Sequence, residues 1–203
     1  MRTYYLQYEE EATINYLYLF LLHRLAEVDK ALRLYNTVRY QNLEELTNRL
    51  NEEYKKLNPE AKKNVVSKAT LSRVLNSDTE KKYFIYDNEN KVITLQNNFT
   101  KSKTNGKAKF ITLTDRELSF LLQKNEKLLY SYYLFIKYNC GFSGINYTDF
   151  TAIQFLEATN YSTKAGNYKN QLSAYNSLLV KEKFISISKF RFNGKERNGY
   201  SLL

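Results

Sequence analysis

Between residues 160 and 200 the chain gathers side chains that can hydrogen-bond or carry positive charge at regular spacing. Lys164, Asn167, Lys169, Asn170, Ser173 and Ser177 alternate with Tyr168, Leu172, Tyr175 and Leu179. The apolar set recurs at the 3.6-residue period of a helix, which leaves the polar set on another side. That side lacks the Glu–Lys lacing of a helix that merely faces water. After Lys183, residues 184–192 alternate apolar and polar, turn at Asn193-Gly194 and return toward Tyr200 and Leu202, the pattern of a hairpin. Lys189, Arg191, Lys195 and Arg197 crowd its strands and turn. Short amides and hydroxyls on a helix suit base edges, and ammonium and guanidinium groups suit phosphate, so a nucleic acid is the expected partner.

The formal charge of +10 points the same way, although an AT-rich genome would enrich Lys, Asn, Tyr and Ile without any function. Its distribution is more telling. Residues 161–203 hold eight basic side chains against Glu182 and Glu196, so charge concentrates on the proposed reading element. With 43% hydrophobic and 26% charged residues the composition is that of a globular protein. No apolar run approaches ~18 residues and the start does not read as a signal peptide, so no membrane span and a cytoplasmic location are expected. The single Cys140 and single His23 supply no disulfide and no zinc cluster; Cys140 reads as a small buried hydrophobe and His23 as a partly buried or boundary histidine of an apolar helix. A Gly-rich phosphate loop, a Gly-x-Ser-x-Gly elbow and a His pair are all missing, and the nineteen tyrosines lack the Arg and His activators of a tyrosine recombinase. Neither an enzyme nor a metal or cofactor is expected.

Other elements must position this stretch. Residues 1–11 read as an arm or strand. Over 13–29, Ile14, Leu17, Tyr18, Leu21, Leu22 and Leu25 repeat at helical spacing, with Leu19 and Phe20 adding a second apolar face that calls for a neighbour or a second subunit. A helix over 42–57 opens on Asn42 as N-cap and closes before Asn58-Pro59. Residues 66–76 form a further helix capped by Ser67, with Leu71, Val74 and Leu75 inward and Ala69, Ser72, Arg73 and Asn76 outward; Lys68 and Thr70 join the candidate contact set. A hairpin over 82–95 has an acidic tip, Asp87 to Asn90, which phosphate would repel. The lysine-alternating segment 101–109 reads as a linker. Beyond it, the pattern predicts a strand at 110–113, a helix capped by Thr114 or Asp115, an apolar helix over 128–140 ended by Gly141, and a helix over 148–160 with Phe150, Ile153, Phe155 and Leu156 inward. The second half repeats the first: long apolar helix, short helix, polar-faced helix, hairpin.

A helix leading into a basic hairpin resembles a winged-helix DNA-binding head, and the repeat predicts a mainly α fold with small β-hairpins (α+β), built as two tandem winged-helix domains over 1–100 and 110–203. Within the first, Val66-Ser67-Lys68-Ala69-Thr70-Leu71-Ser72-Arg73-Val74-Leu75-Asn76 resembles the recognition helix of the lactose-repressor family, which implies that Thr70, Ser72 and Arg73 contact DNA. In architecture the chain is similar to the tandem winged-helix replication initiators of plasmids and phages, chiefly of low-GC Gram-positive hosts. That resemblance implies double-stranded DNA as partner, a dimer-forming first domain using the apolar helix, and a second domain that reads repeated origin sites. A transcription regulator with the same heads, and a winged-helix protein-interaction module such as a viral antagonist or assembly protein, stand as alternatives.

Overall fold

A computed structural model of the chain describes residues 3–7, 15–29, 34–78, 80–96, 110–143, 146–162 and 167–203. The fold is α+β, with helices packed on small antiparallel sheets. The chain divides into two compact units, and the cut falls between Asn125 and Glu126 rather than at 101–109, which lies outside the described residues. The reason is a strand pairing that the sequence pattern could not reveal. Strand β1 (Thr3–Gln7) pairs antiparallel with β6 (Phe110–Thr114), so β6 and the helix after it, α4 (Asp115–Lys124), belong to the first unit. A fragment ending at residue 105 would therefore lose part of its own domain.

In the first unit, α1 (Tyr16–Leu25) is shorter than the 13–29 helix that periodicity suggests. Ala26 turns extended, and β2 (Glu27–Asp29) pairs with β3 (Leu34–Arg39) instead. Strand β3 has no sequence expectation behind it. Helix α2 (Leu43–Leu57) starts where expected, with the Asn42 side chain accepting from the backbone N–H groups of Glu44 and Glu45. Helix α3 (Lys68–Leu75) is capped by Ser67 and buries Leu71, Val74 and Leu75 as predicted. A 3₁₀ turn (Glu80–Lys82) leads to the hairpin β4 (Phe84–Asp87) and β5 (Val92–Leu95), giving the sheet order β2-β3-β5-β4. Both apolar sides of α1 find neighbours at home, in α2, α4 and β3. Its two-faced character thus needs no second subunit, and the expected dimer loses that motive.

Two polar groups tie this unit together. Asn51, on α2 and only 3% exposed, donates to the carbonyls of Thr47 and Val66 and accepts from the N–H groups of Val65 and Val66. Its amide is saturated by the chain entering α3, which fixes α3 relative to α2 across the long connection containing Pro59. Arg24 bridges Glu53 on α2 to Asp115 and Ser119 on α4, while the Tyr4 hydroxyl donates to Asp115 at 2.7 Å.

The second unit follows the same plan. Helix α5 (Lys127–Ser143) runs past Gly141, so that glycine sits inside the helix and does not end it. The expected helix over 148–160 is instead a strand, β7 (Tyr147–Asp149), followed by α6 (Ala152–Ala158), whose start is set by a reciprocal capping box between Thr151 and Gln154. Phe150, Phe155 and Leu156 are buried, but Ile153 is 48% exposed because it lies off the stripe that Phe155, Leu156 and Thr159 form along α6. Helix α7 (Tyr168–Lys181) and the hairpin β8 (Ile185–Phe192) and β9 (Lys195–Leu202) complete the unit, with sheet order β7-β9-β8. Helix, strand, helix, helix and hairpin thus occur in the same order in both units. In each, a strand between the first two helices, β3 or β7, pairs with the second strand of the hairpin, and in the first unit β3 also carries β2 on its other edge.

Replacing Asn51 with Ala strands several buried backbone groups at once. Urea titration should give a loss of roughly 3 kcal/mol for the first unit. Glu53 supplies a pH test. Burial alone would raise its pKa, but hydrogen bonds and charge from Arg24 and Lys56 outweigh that and hold it below the usual 4.5. A depressed folded-state pKa contributes stability that is complete above the unfolded value and disappears as pH falls through the folded one. Thermal melts from pH 6 downward should therefore show wild type losing stability below about pH 4.5, with Glu53→Gln less stable at pH 6 and flatter in that acid range.

Candidate nucleic-acid interface

Helix α7 buries Leu172, Tyr175 and Leu179, as their spacing predicts, and exposes Lys169, Asn170, Ser173 and Ser177. Gln171 and Ala174 are exposed as well. Gln171 extends the polar face beyond the sequence-based set, and its place between the apolar positions Tyr168 and Leu172 was the available signal. No acidic residue occurs in α7.

Not every polar group there is free to meet a partner. Ser177 Oγ donates to the Ser173 carbonyl at 3.1 Å, so its hydroxyl is spent on the helix itself. Asn170 Nδ2 donates to Asn167 Oδ1 at 3.1 Å, which orients the Asn170 amide while Asn167 makes no side-chain bond to the helix backbone. Lys164 lies outside the described residues.

The seating of α7 rests on hydroxyl tips of buried tyrosines. Tyr132, 1% exposed on α5, donates to Asn176 Oδ1 at 2.8 Å, and its oxygen lies 3.0 Å from the Tyr200 hydroxyl on β9. Around it, the rings of Phe150, Phe155 and Tyr200 pack edge-on. Burial, and then the neighbouring Tyr200, push the Tyr132 pKa well above its ordinary value, so the phenol stays a neutral donor. Tyr175 donates to Glu126 Oε2 at 2.7 Å, securing α7 at a second point. Cys140 fits its reading as a buried hydrophobe: its thiol donates to the Tyr200 carbonyl and burial pushes its pKa up to about 11.

The chain leaves α7 through a Schellman motif. Lys183 adopts φ 57° where glycine is usual, its N–H meets the Val180 carbonyl, and the Phe184 N–H meets Leu179. This reversal aims β8 away from the helix. Asn193 and Gly194 both have positive φ, the mark of a type I′ turn, so the Asn-Gly pair closes the hairpin as the sequence implies. Strand β7 covers β9 only as far as Gly199, which pairs with Asp149. Past that point residues 189–192 and 195–198 project as a two-stranded ribbon about 13 Å long. At the junction the Tyr147 ring lies over Gly199, in the space a Cβ would occupy.

The cations of the ribbon differ in their commitments. Lys189 pairs with Glu196 at 2.9 Å in an exposed bridge of little energetic weight. Arg197 pairs with Asp149 at 3.3 Å and lays its guanidinium 4.8 Å from the centre of the Phe192 ring. Arg191 is exposed and has no side-chain partner among the described residues. The side chain of Lys195 lies outside what is described.

In the first unit, Lys68 and Arg73 are exposed and Thr70 and Ser72 half-buried on α3. Ser67 Oγ donates to Thr70 Oγ1 at 2.9 Å, and Arg73 leans on the same hydroxyl at 3.4 Å. At the tip of that unit's hairpin Asp87 accepts from the Asn90 backbone and side chain, which hold its pKa down, and Glu89 is exposed. No family model matches the chain, and no curated protein or solved structure matches it either. Among the described residues, no helix is long and apolar enough to cross a membrane.

Tyr132→Phe removes the donor to Asn176 and the acceptor for Tyr200 while keeping the ring. Denaturant unfolding followed by near-UV circular dichroism should report a loss of about 1–2 kcal/mol in the second unit.

Proposed function

We propose that the chain is a sequence-specific double-stranded DNA-binding protein built of two tandem winged-helix units, a replication initiator of the plasmid and phage type acting in the cytoplasm of its host. The observation that carries this reading is one juxtaposition in the second unit. An exposed helix face without acids, bearing Lys169, Asn170, Gln171 and Ser173, stands beside a projecting hairpin whose strands hold Lys189, Arg191, Lys195 and Arg197 against Glu196. The helix has the width to enter a major groove, where Asn and Gln amides match adenine and Lys matches guanine. The hairpin cations then meet phosphate. The shared order of helices and hairpin, and the pairing of β3 and of β7 with the second hairpin strand of its unit, support winged-helix architecture in each unit.

The first unit offers a second reader in α3, where Thr70 and Arg73 are already linked. That feature favours a regulator reading to the same degree, because the contacts with DNA are identical; only the place of the bound site separates the two. Selection of random duplexes by the full chain across a salt series should enrich one site, and its occurrence in repeats at an origin would favour initiation over a promoter role. Changing Lys169 and Asn170 together to Ala should weaken that site about tenfold relative to random DNA without altering the melting temperature. Arg191→Ala should weaken all sequences alike and lower the salt slope by about one. Failure to enrich any site, with only weak salt-sensitive binding, would sink this reading in favour of a protein-interaction role.

A further inference from the structure

Phe192 is 50% exposed at the end of β8, immediately before the Asn193-Gly194 turn, where burial gives it no reason to be aromatic. It is nonetheless held in place. The Arg197 guanidinium stacks on its ring from the neighbouring strand and is itself anchored to Asp149 on β7, so a chain of contacts runs from the three-stranded body of the sheet to the tip of the ribbon. Arg191 precedes it, and Lys195 is its cross-strand partner. An apolar ring presented at a tip and steadied on one face by a guanidinium, with Arg191 next to it in the strand, is suited to a surface that is anionic outside and aromatic within.

Duplex DNA is such a surface: phosphate ridges enclose stacked bases, and apolar side chains that enter a base step from the minor groove unstack it and kink the helix. With α7 in a major groove, the ~13 Å reach of the ribbon past β7 carries the tip over the phosphate ridge to the adjoining minor groove. Resting on the DNA-binding reading above, we infer that Phe192 is a wedge that inserts at a base step beside the major-groove site and bends the DNA, with Arg197 acting as its positioning residue. Flexible pyrimidine–purine steps at that distance from the site are the preferred entry point.

The test uses the full chain and the duplex it selects, with 2-aminopurine placed in turn at each position flanking the site, and donor and acceptor dyes at the duplex ends. Wild type should raise 2-aminopurine emission at one step and shorten the end-to-end distance. Phe192→Ala should abolish both and weaken binding about tenfold, while Phe192→Leu, which keeps an apolar wedge, should retain most of the bend. Arg197→Lys, which keeps the charge but not the planar stack, should reduce the emission change more than the affinity. If wild type binds its site and Phe192→Ala gives the same emission profile and bend, the wedge is overturned and the DNA-binding reading survives. If wild type selects no duplex at all, both fall together.

Discussion

A polar atom carried into an apolar core must arrive with its partner, and in each unit one such atom decides where the exposed helix sits. In the first, the Asn51 amide is satisfied only when the chain enters α3 along one path, since its bonds go to the backbone of Val65 and Val66. In the second, the Tyr132 hydroxyl joins α5 to Asn176 on α7 and to Tyr200 on β9. Packing alone would let a short amphipathic helix slide or rotate by a few ångströms with small loss. A buried hydrogen bond is far less forgiving, because displacement leaves a desolvated group without compensation. Register of the exposed face is thus specified from inside.

The two units share a plan but differ in what they present. In the first, Asp87 accepts from Asn90 within the hairpin turn, and a part-buried network of Arg24, Glu53 and Asp115 joins α1, α2 and α4. Among the described residues the second buries no charged side chain in its aromatic-rich core, and cations line its hairpin. A shared order of helices and hairpin thus carries a different electrostatic emphasis in each unit.

Much of this was legible in the sequence. Helix α2, helix α3 with its Ser67 cap, the buried side of α7, both hairpins and the Asn193-Gly194 turn all follow from local periodicity and turn chemistry. Strands β2 and β7 escaped because each is three residues long and sits within or beside helical periodicity, and the pairing of β3 and β7 with a distant hairpin strand leaves no local mark. The switch to alternation after Lys183 placed the end of α7, but nothing in the sequence marked Lys183, rather than a glycine, for the left-handed position. Gly141 misled in the opposite sense, lying within α5. Among the candidate contacts, Arg197 and Ser177 looked equivalent to their neighbours in sequence; only geometry shows that one is bound to Asp149 and the other to Ser173.

The pairing of β1 with β6 has a bearing on how the first unit comes to exist. Thr3 meets Thr114, whereas α1 with α2, α2 with α3 and the two strands of the hairpin make their contacts over much shorter spans of chain, only the packing of α4 on α1 and α2 being of comparable reach. Closing so long a loop carries the largest entropic penalty in the unit, and contacts of that separation form slowly. The local elements can therefore assemble first, leaving the hydroxyl of Tyr4 and the carboxylate of Asp115 to meet only when the two strands come together. Folding of this unit is then governed less by the helices that fill it than by the late fastening of its two outermost strands.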